Sequence, residues 1–141
     1  MRKKILALVM AFSMMLTISV PTYAAQTTPS KPNPNYTLFF TNTDFISSVL
    51  NFSGSKAECN SEIYAKSGTT KIVATIMLKQ VTSTGTKTVK TWTQTTKGEL
   101  FYFYKEYYVT KGHDYELEVN AKVYRNGSIE NLSLTDYDYC G

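Results

Sequence analysis

Residues from about 45 to the end of the chain alternate between apolar and polar side chains in short runs, a pattern typical of β-strands that bury one face. Thr, Tyr, Val and Ile dominate these runs, and they favour strands. Six glycine-containing pairs separate the runs and indicate turns. The pairs are Ser53-Gly54, Ser67-Gly68, Thr84-Gly85, Lys97-Gly98, Lys111-Gly112 and Asn126-Gly127. The pattern predicts seven strands, at about 45–52, 56–66, 71–80, 87–95, 99–109, 115–124 and 128–138, with a short edge piece at 36–41.

The alternation also predicts which side chains point inward. The inward set is Ile72, Ala74, Ile76 and Leu78 in one strand and Tyr115, Leu117, Val119, Ala121 and Val123 in another. The outward set of the second strand is Glu116, Glu118, Asn120 and Lys122, which we expect to form the solvated face of an antiparallel sheet. The pair Asn126-Gly127 between two strands predicts a hairpin turn of the primed type.

One stretch, "VTKGHDYELEV", carries a resemblance through Val109, Gly112, Tyr115, Leu117 and Val119. It resembles the corner between the fifth and sixth strands of immunoglobulin-like and fibronectin type III domains. The resemblance implies that the Tyr115 hydroxyl reaches back to the upstream backbone. The wider chain is similar to small secreted immunoglobulin-like proteins of Gram-positive bacteria. We therefore predict an all-β fold, an immunoglobulin-like antiparallel β-sandwich of about seven strands.

The N-terminal segment has the design of a secretory signal peptide. A basic start, Met1 to Lys4, precedes an uncharged and mostly apolar stretch at 5–20, and small residues follow at the predicted cleavage site after Ala24. A membrane anchor is the alternative, but the stretch is shorter than the roughly 20 residues that a span needs. The predicted organisation is a signal peptide at 1–24, a Pro-rich leader at 25–35 and a β-sandwich domain at 36–141. We expect a secreted protein, extracellular or associated with the cell envelope, that is free of the membrane after cleavage.

Removal of the signal peptide changes the charge balance. Three of the fifteen Lys and Arg residues lie in that segment, so twelve basic residues then face eleven acidic ones. The remaining chain has no basic stripe or clustered patch, so nothing indicates a nucleic-acid partner.

Cys59 and Cys140 are the two cysteines. An even pair in an exported protein usually forms a disulfide, and we expect one here. Two free thiols are the alternative, for a host that lives without oxygen or lacks an oxidase.

The sequence offers no recognisable catalytic set, metal site or cofactor motif. His113 is the single histidine and falls in the predicted corner turn, with no nucleophile elbow elsewhere. The acidic pairs Asp136/Asp138 and Glu116/Glu118 are better explained as solvated strand faces than as ligands or catalytic carboxyls. We therefore expect a protein that is not an enzyme.

The run "FYFYKEYYV" at 101–109 is the main candidate for a functional surface. If the run forms a strand, one side carries core residues together with Lys105, and a bulge near Lys105 could turn its charged side chain outward. The core side is Phe101, Phe103, Tyr107 and Val109. The other side carries Tyr102, Tyr104 and Tyr108, either as a binding face or as packing between strands. The sequence thus favours a binding or adhesion module for an extracellular glycan or protein, and a structural or accessory domain is the alternative.

Overall fold

The computed structural model describes residues 40–141, and these residues form two antiparallel sheets without any helix. The predicted signal peptide, the leader and most of the edge piece at 36–41 lie outside the described residues. Since 40–141 contain no helix, they contain none long and apolar enough to cross a membrane.

Seven strands lie close to their predicted positions. Their bounds are β1 (Thr43–Ser53), β2 (Lys56–Ala65), β3 (Thr69–Thr82), β4 (Gly85–Lys97), β5 (Leu100–Tyr108), β6 (His113–Arg125) and β7 (Ser128–Cys140). Most ends extend beyond the sequence estimate by one or two residues, because polar strand ends keep pairing after the apolar alternation has stopped.

The strands divide into a three-stranded sheet of order β1-β2-β5 and a four-stranded sheet of order β4-β3-β6-β7. Hairpins join β1 to β2, β3 to β4 and β6 to β7, whereas the other connections pass from one sheet to the other. The hairpin between β6 and β7 turns on Asn126 and Gly127, which both have positive φ, at 47° and 79°. Positive φ at both central residues is the type I′ geometry that suits the twist of paired strands. The predicted immunoglobulin-like sandwich of seven strands is confirmed.

The core lies between the two sheets and is built from the inward positions of the alternation. The residues predicted to face inward on β3 and β6 are all buried. Trp92 is partly buried, with its ring centroid 5.6 Å from that of Phe103 and 6.2 Å from that of Tyr107. The tryptophan thus covers the open side of the core, where β4 and β5 belong to different sheets.

The predicted tyrosine corner is present. Tyr115 is buried at the start of β6, and its hydroxyl donates a 2.8 Å hydrogen bond to the Thr110 carbonyl. Its ring packs on Phe52 of β1, with 5.5 Å between the ring centroids. The corner therefore fixes the crossing from β5 to β6 and also joins the two sheets.

Carboxylates on β7 bind the free edge of β1, where the two sheets meet. Glu130 accepts hydrogen bonds from the Asn42 amide at 3.0 Å and from the Thr43 hydroxyl at 2.8 Å. Six residues further along β7, the buried Asp136 accepts a 2.8 Å bond from the Leu50 amide. These side chains satisfy backbone donors that a neighbouring strand would otherwise pair. We call this set of contacts the β1–β7 seam.

The expected disulfide is not formed: Cys59 and Cys140 are both buried free thiols. Cys59 pairs across the sheet with Leu50, and the Leu50 amide binds Asp136, so Cys59 lies at the level of Asp136. The Cys140 thiol lies 3.4 Å from the Gly54 carbonyl oxygen, at the end of β7. Four residues of β7 separate these two levels, which is about 13 Å along the strand. A disulfide needs Cα atoms within about 7 Å, so this register keeps the thiols apart. Cys59 is the fourth residue of β2, whereas Cys140 is the last residue of β7.

Candidate functional site

The three candidate tyrosines of β5 lie on the outer side of the three-stranded sheet. Tyr102, Tyr104 and Tyr108 are 55%, 43% and 73% exposed, whereas Phe101 and Phe103, which alternate with the first two tyrosines, are buried. The alternation therefore places the two sets on opposite sides of the strand. No strand within residues 40–141 covers the tyrosines, which argues against packing under a neighbouring strand.

Three more large apolar side chains lie on the same outer surface. Phe45, Tyr64 and Leu100 occupy one row across the sheet, because Phe45 pairs with Tyr64 and Tyr64 pairs with Leu100. Each is about half exposed, and the Phe45 and Tyr64 ring centroids are 5.7 Å apart. We define the aromatic face as the six outward residues Phe45, Tyr64, Leu100, Tyr102, Tyr104 and Tyr108.

Sequence reasoning missed the row at Phe45 because its members belong to three strands. β2 and β5 are separated by two strands of the other sheet, so the chain itself does not show that Tyr64 and Leu100 are neighbours. The alternation within each strand could show that Phe45 and Tyr64 point outward. Only the order of the strands in the sheet shows that they lie beside Leu100 of β5.

The aromatic face is an elongated strip. Eight residues of β5 separate Leu100 from Tyr108, which corresponds to about 27 Å, and three strands at about 4.8 Å spacing give a width of roughly 14 Å with side chains. The projected area is therefore about 400 Å². Six large apolar side chains lie within this area, interspersed with polar and charged ones, and exposed apolar surface concentrated in this way on a monomer is often functional.

Charged side chains occupy one end of the aromatic face. Lys56 contacts Glu106 at 2.8 Å and Glu58 at 3.3 Å, and the Tyr104 hydroxyl donates to Glu106 at 2.9 Å. The hydrogen bond from Lys56 is the main cause of a lowered Glu106 pKa, and the bond to Glu106 raises the pKa of Tyr104. Glu106 therefore stays ionised and orients the Tyr104 ring along the strand.

Lys105 occupies a regular position on β5, opposite Cys59, and the suggested bulge is absent from the β2–β5 ladder. The residue belongs to the inner side of the strand but is exposed. β5 is an edge strand, so a long side chain there can reach water without any change of register. The bulge interpretation is therefore wrong.

The opposite outer surface, on the four-stranded sheet, differs from its expected solvated character. Glu116 is buried and 3.3 Å from the Lys79 ammonium, and Glu118 contacts both Lys79 and Asn120. Asn120 also borders a shallow concavity of about 490 Å³ that extends across β3, β6 and β7. Long side chains on neighbouring strands cover Glu116. The alternation within one strand cannot predict this burial.

The residues weighed as catalytic are dispersed. His113 is exposed and pairs across the sheet with Cys140, and Asp136 is engaged in the β1–β7 seam. Between residues 40 and 141, no three His, Cys, Asp or Glu side chains are grouped closely enough to hold a metal ion.

Comparisons with known proteins give no family assignment. No protein-family model matches the chain, and no curated protein does either. The chain is similar to the solution structure of CsgH from R. palustris, with 10% identity and a TM-score of 0.40 over 63% of this chain and 88% of that one. It is also similar to the crystal structure of Spo0M, a sporulation control protein from Bacillus subtilis, with 12% identity and a TM-score of 0.36 over 70% of this chain. The match spans 48% of Spo0M.

Proposed function

We propose that this chain is a secreted, non-catalytic binding module that attaches to an extracellular glycan or protein through the aromatic face. The observation that carries the proposal is the exposure of six large apolar side chains on one side of one sheet. Such residues cost solubility and contribute no core packing, so a binding partner is the simplest reason for placing them together.

The chemistry of the face suits recognition. Tyrosine offers a rigid apolar ring and a polar hydroxyl, and it is enriched where one surface of a protein contacts another or stacks on a sugar. The sandwich supports these rings on hydrogen-bonded strands, with Phe101 and Phe103 fixed in the core beneath them. A surface built in this way needs little reordering when it binds, which lowers the entropic cost of association.

Replacing Tyr102, Tyr104 and Tyr108 together by Ser tests the proposal. We expect the variant to fold, because surface substitutions usually change stability by no more than about 0.5 kcal/mol each. It should lose attachment to cell-envelope material, measured by pull-down and by a glycan array. Unchanged attachment would exclude the aromatic face as the binding site.

A matched control comes from the other sheet. Tyr137 and Tyr139 on β7 are also exposed, at 45% and 57%, and face away from the aromatic face. Their joint replacement by Ser removes exposed tyrosine surface of the same kind from the other sheet and should leave attachment intact. If the control and the test variant lose binding equally, tyrosine content in general and not the aromatic face is responsible.

A further inference from the structure

Glu62 lies near the centre of the aromatic face without a basic partner. It is on β2, between Asn60 and Tyr64 along the strand, and opposite Tyr102 on β5. Among the described residues, the single hydrogen bond that its carboxylate accepts comes from the Tyr64 hydroxyl, at the long distance of 3.5 Å. The salt bridges within 40–141 do not include Glu62, whereas Lys56 bridges both Glu58 and Glu106.

The charge of the face is therefore unbalanced. Three glutamates, Glu58, Glu62 and Glu106, occupy outward positions together with one outward lysine, Lys56, so these four side chains carry a formal charge of −2 at neutral pH. A ligand that supplies positive charge and N–H donors would complement this arrangement.

The rings around Glu62 favour the same ligand. Tyr64 and Tyr102 are its nearest large neighbours, and Ser47 on the β1 side is small, which leaves room beside the carboxylate. A cation beside these rings would gain cation–π attraction in addition to the charge of Glu62. A neutral sugar would gain stacking but no compensation for the carboxylate.

We infer that the aromatic face takes a protein partner whose apolar surface presents a lysine or arginine to Glu62. This inference rests on the proposed function and names the chemistry of the partner. The face extends over about 27 Å, which suits a polypeptide surface with several side chains. Tyrosine-rich centres that receive an arginine or another large anchor are typical of protein interfaces.

The test uses the whole exported protein and a short synthetic peptide in which leucine and lysine alternate, with backbone amide chemical shifts as the readout. The lysine peptide should shift amides at 60–64 and 100–104. The same peptide with glutamine in place of lysine should bind about tenfold more weakly, since a hydrogen bond to a charged group contributes roughly 1.5–3 kcal/mol. Equal binding of the two peptides would overturn the inference.

Glu62→Gln provides the decisive variant because it keeps the shape of the side chain and removes its charge. Its affinity for the lysine peptide should fall to that of wild type for the glutamine peptide. Glu58→Gln is the matched control, since Glu58 is on the same strand and face but already contacts Lys56. It should bind as wild type does, and an equal loss in both variants would place the effect in the general charge of the face and overturn the role of Glu62.

Three further outcomes separate this inference from its alternatives. If choline chloride shifts the same amides and the lysine peptide does not, the face binds a small quaternary ammonium ligand instead of a protein partner. That result would contradict the inference. If Glu62→Gln binds the lysine peptide normally while the triple tyrosine variant does not, the inference fails and the proposed function stands. If neither substitution changes attachment to the peptide or to envelope material, both fail.

Discussion

The buried carboxylate of Asp136 accepts a 2.8 Å hydrogen bond from the backbone amide of Leu50, across the edge where the two sheets meet. A side chain here replaces the carbonyl of a paired strand. Leu50 itself lies in the core, so its amide has no direct access to water.

Asp136→Ala leaves the Leu50 amide buried without an acceptor. We expect a loss of about 1–3 kcal/mol in the free energy of unfolding, the usual cost of an unsatisfied buried donor. Denaturant unfolding followed by the fluorescence of Trp92 measures it. Asp138→Ala is the control, because the hydrogen bond at Asp138 comes from the adjacent Tyr139 amide and does not join the sheets. Equal losses of unfolding free energy in the two variants would show that the bond between Asp136 and Leu50 does not contribute to stability.

Tyr115→Phe removes the corner hydroxyl and keeps the ring on Phe52. The Thr110 carbonyl then loses its donor, and we expect a loss of about 1–3 kcal/mol in unfolding free energy. Tyr139→Phe, at a side chain that is 57% exposed, should leave stability unchanged. Thermal unfolding that is identical for Tyr115→Phe and wild type would contradict a stabilising role for the corner.

The thiols should be unreactive in the folded protein. Burial raises the pKa of the Cys59 thiol to about 12, so little of the reactive thiolate exists at neutral pH, and Cys140 is inaccessible in the core. We expect intact mass spectrometry without reductant to find the dithiol, with slow alkylation that becomes fast in denaturant. A mass two hydrogens lighter would instead show that the disulfide forms, which requires a different register of β2 against β1 or of β1 against β7.

The Lys79–Glu118 contact predicts a loss of stability in acid. Hydrogen bonds from Lys79, and then from Asn120, lower the pKa of Glu118 below its ordinary value of 4.5. The folded state therefore holds this proton less tightly than the unfolded state does. The stabilisation is complete above about pH 4.5 and is lost as pH falls through the lowered pKa. Wild type should lose more stability between pH 6 and 3 than Glu118→Gln, as measured by urea unfolding, and parallel pH profiles would contradict this.

Much of the fold was predictable because the alternation of apolar and polar residues within each strand indicates which side of that strand is buried. Ile72 to Leu78 and Tyr115 to Val123 could be assigned without knowing their neighbours, since a period of two separates the faces. The corner was predictable for a similar reason: Tyr115 and Thr110 are five residues apart, so their contact is local in the chain.

The failures concern contacts between distant residues. The burial of Glu116 depends on Lys79 and on other strands, and the depth of Cys59 depends on the exact register of β2 against β1 and of β1 against β7. The aromatic face was found in part, because three of its members lie on one strand. The remainder required the order β1-β2-β5, which local patterns do not encode.

The β1–β7 seam has a mechanical consequence. β1 and β7 run side by side in the same direction, since Thr43 contacts Glu130, Leu50 contacts Asp136 and Gly54 contacts Cys140 in order along both strands. A force that pulls residue 40 and residue 141 apart would therefore slide one strand along the other and load these bonds simultaneously. Rupture requires several bonds to break at once instead of one after another, which makes the sandwich resistant to tension along its own strands.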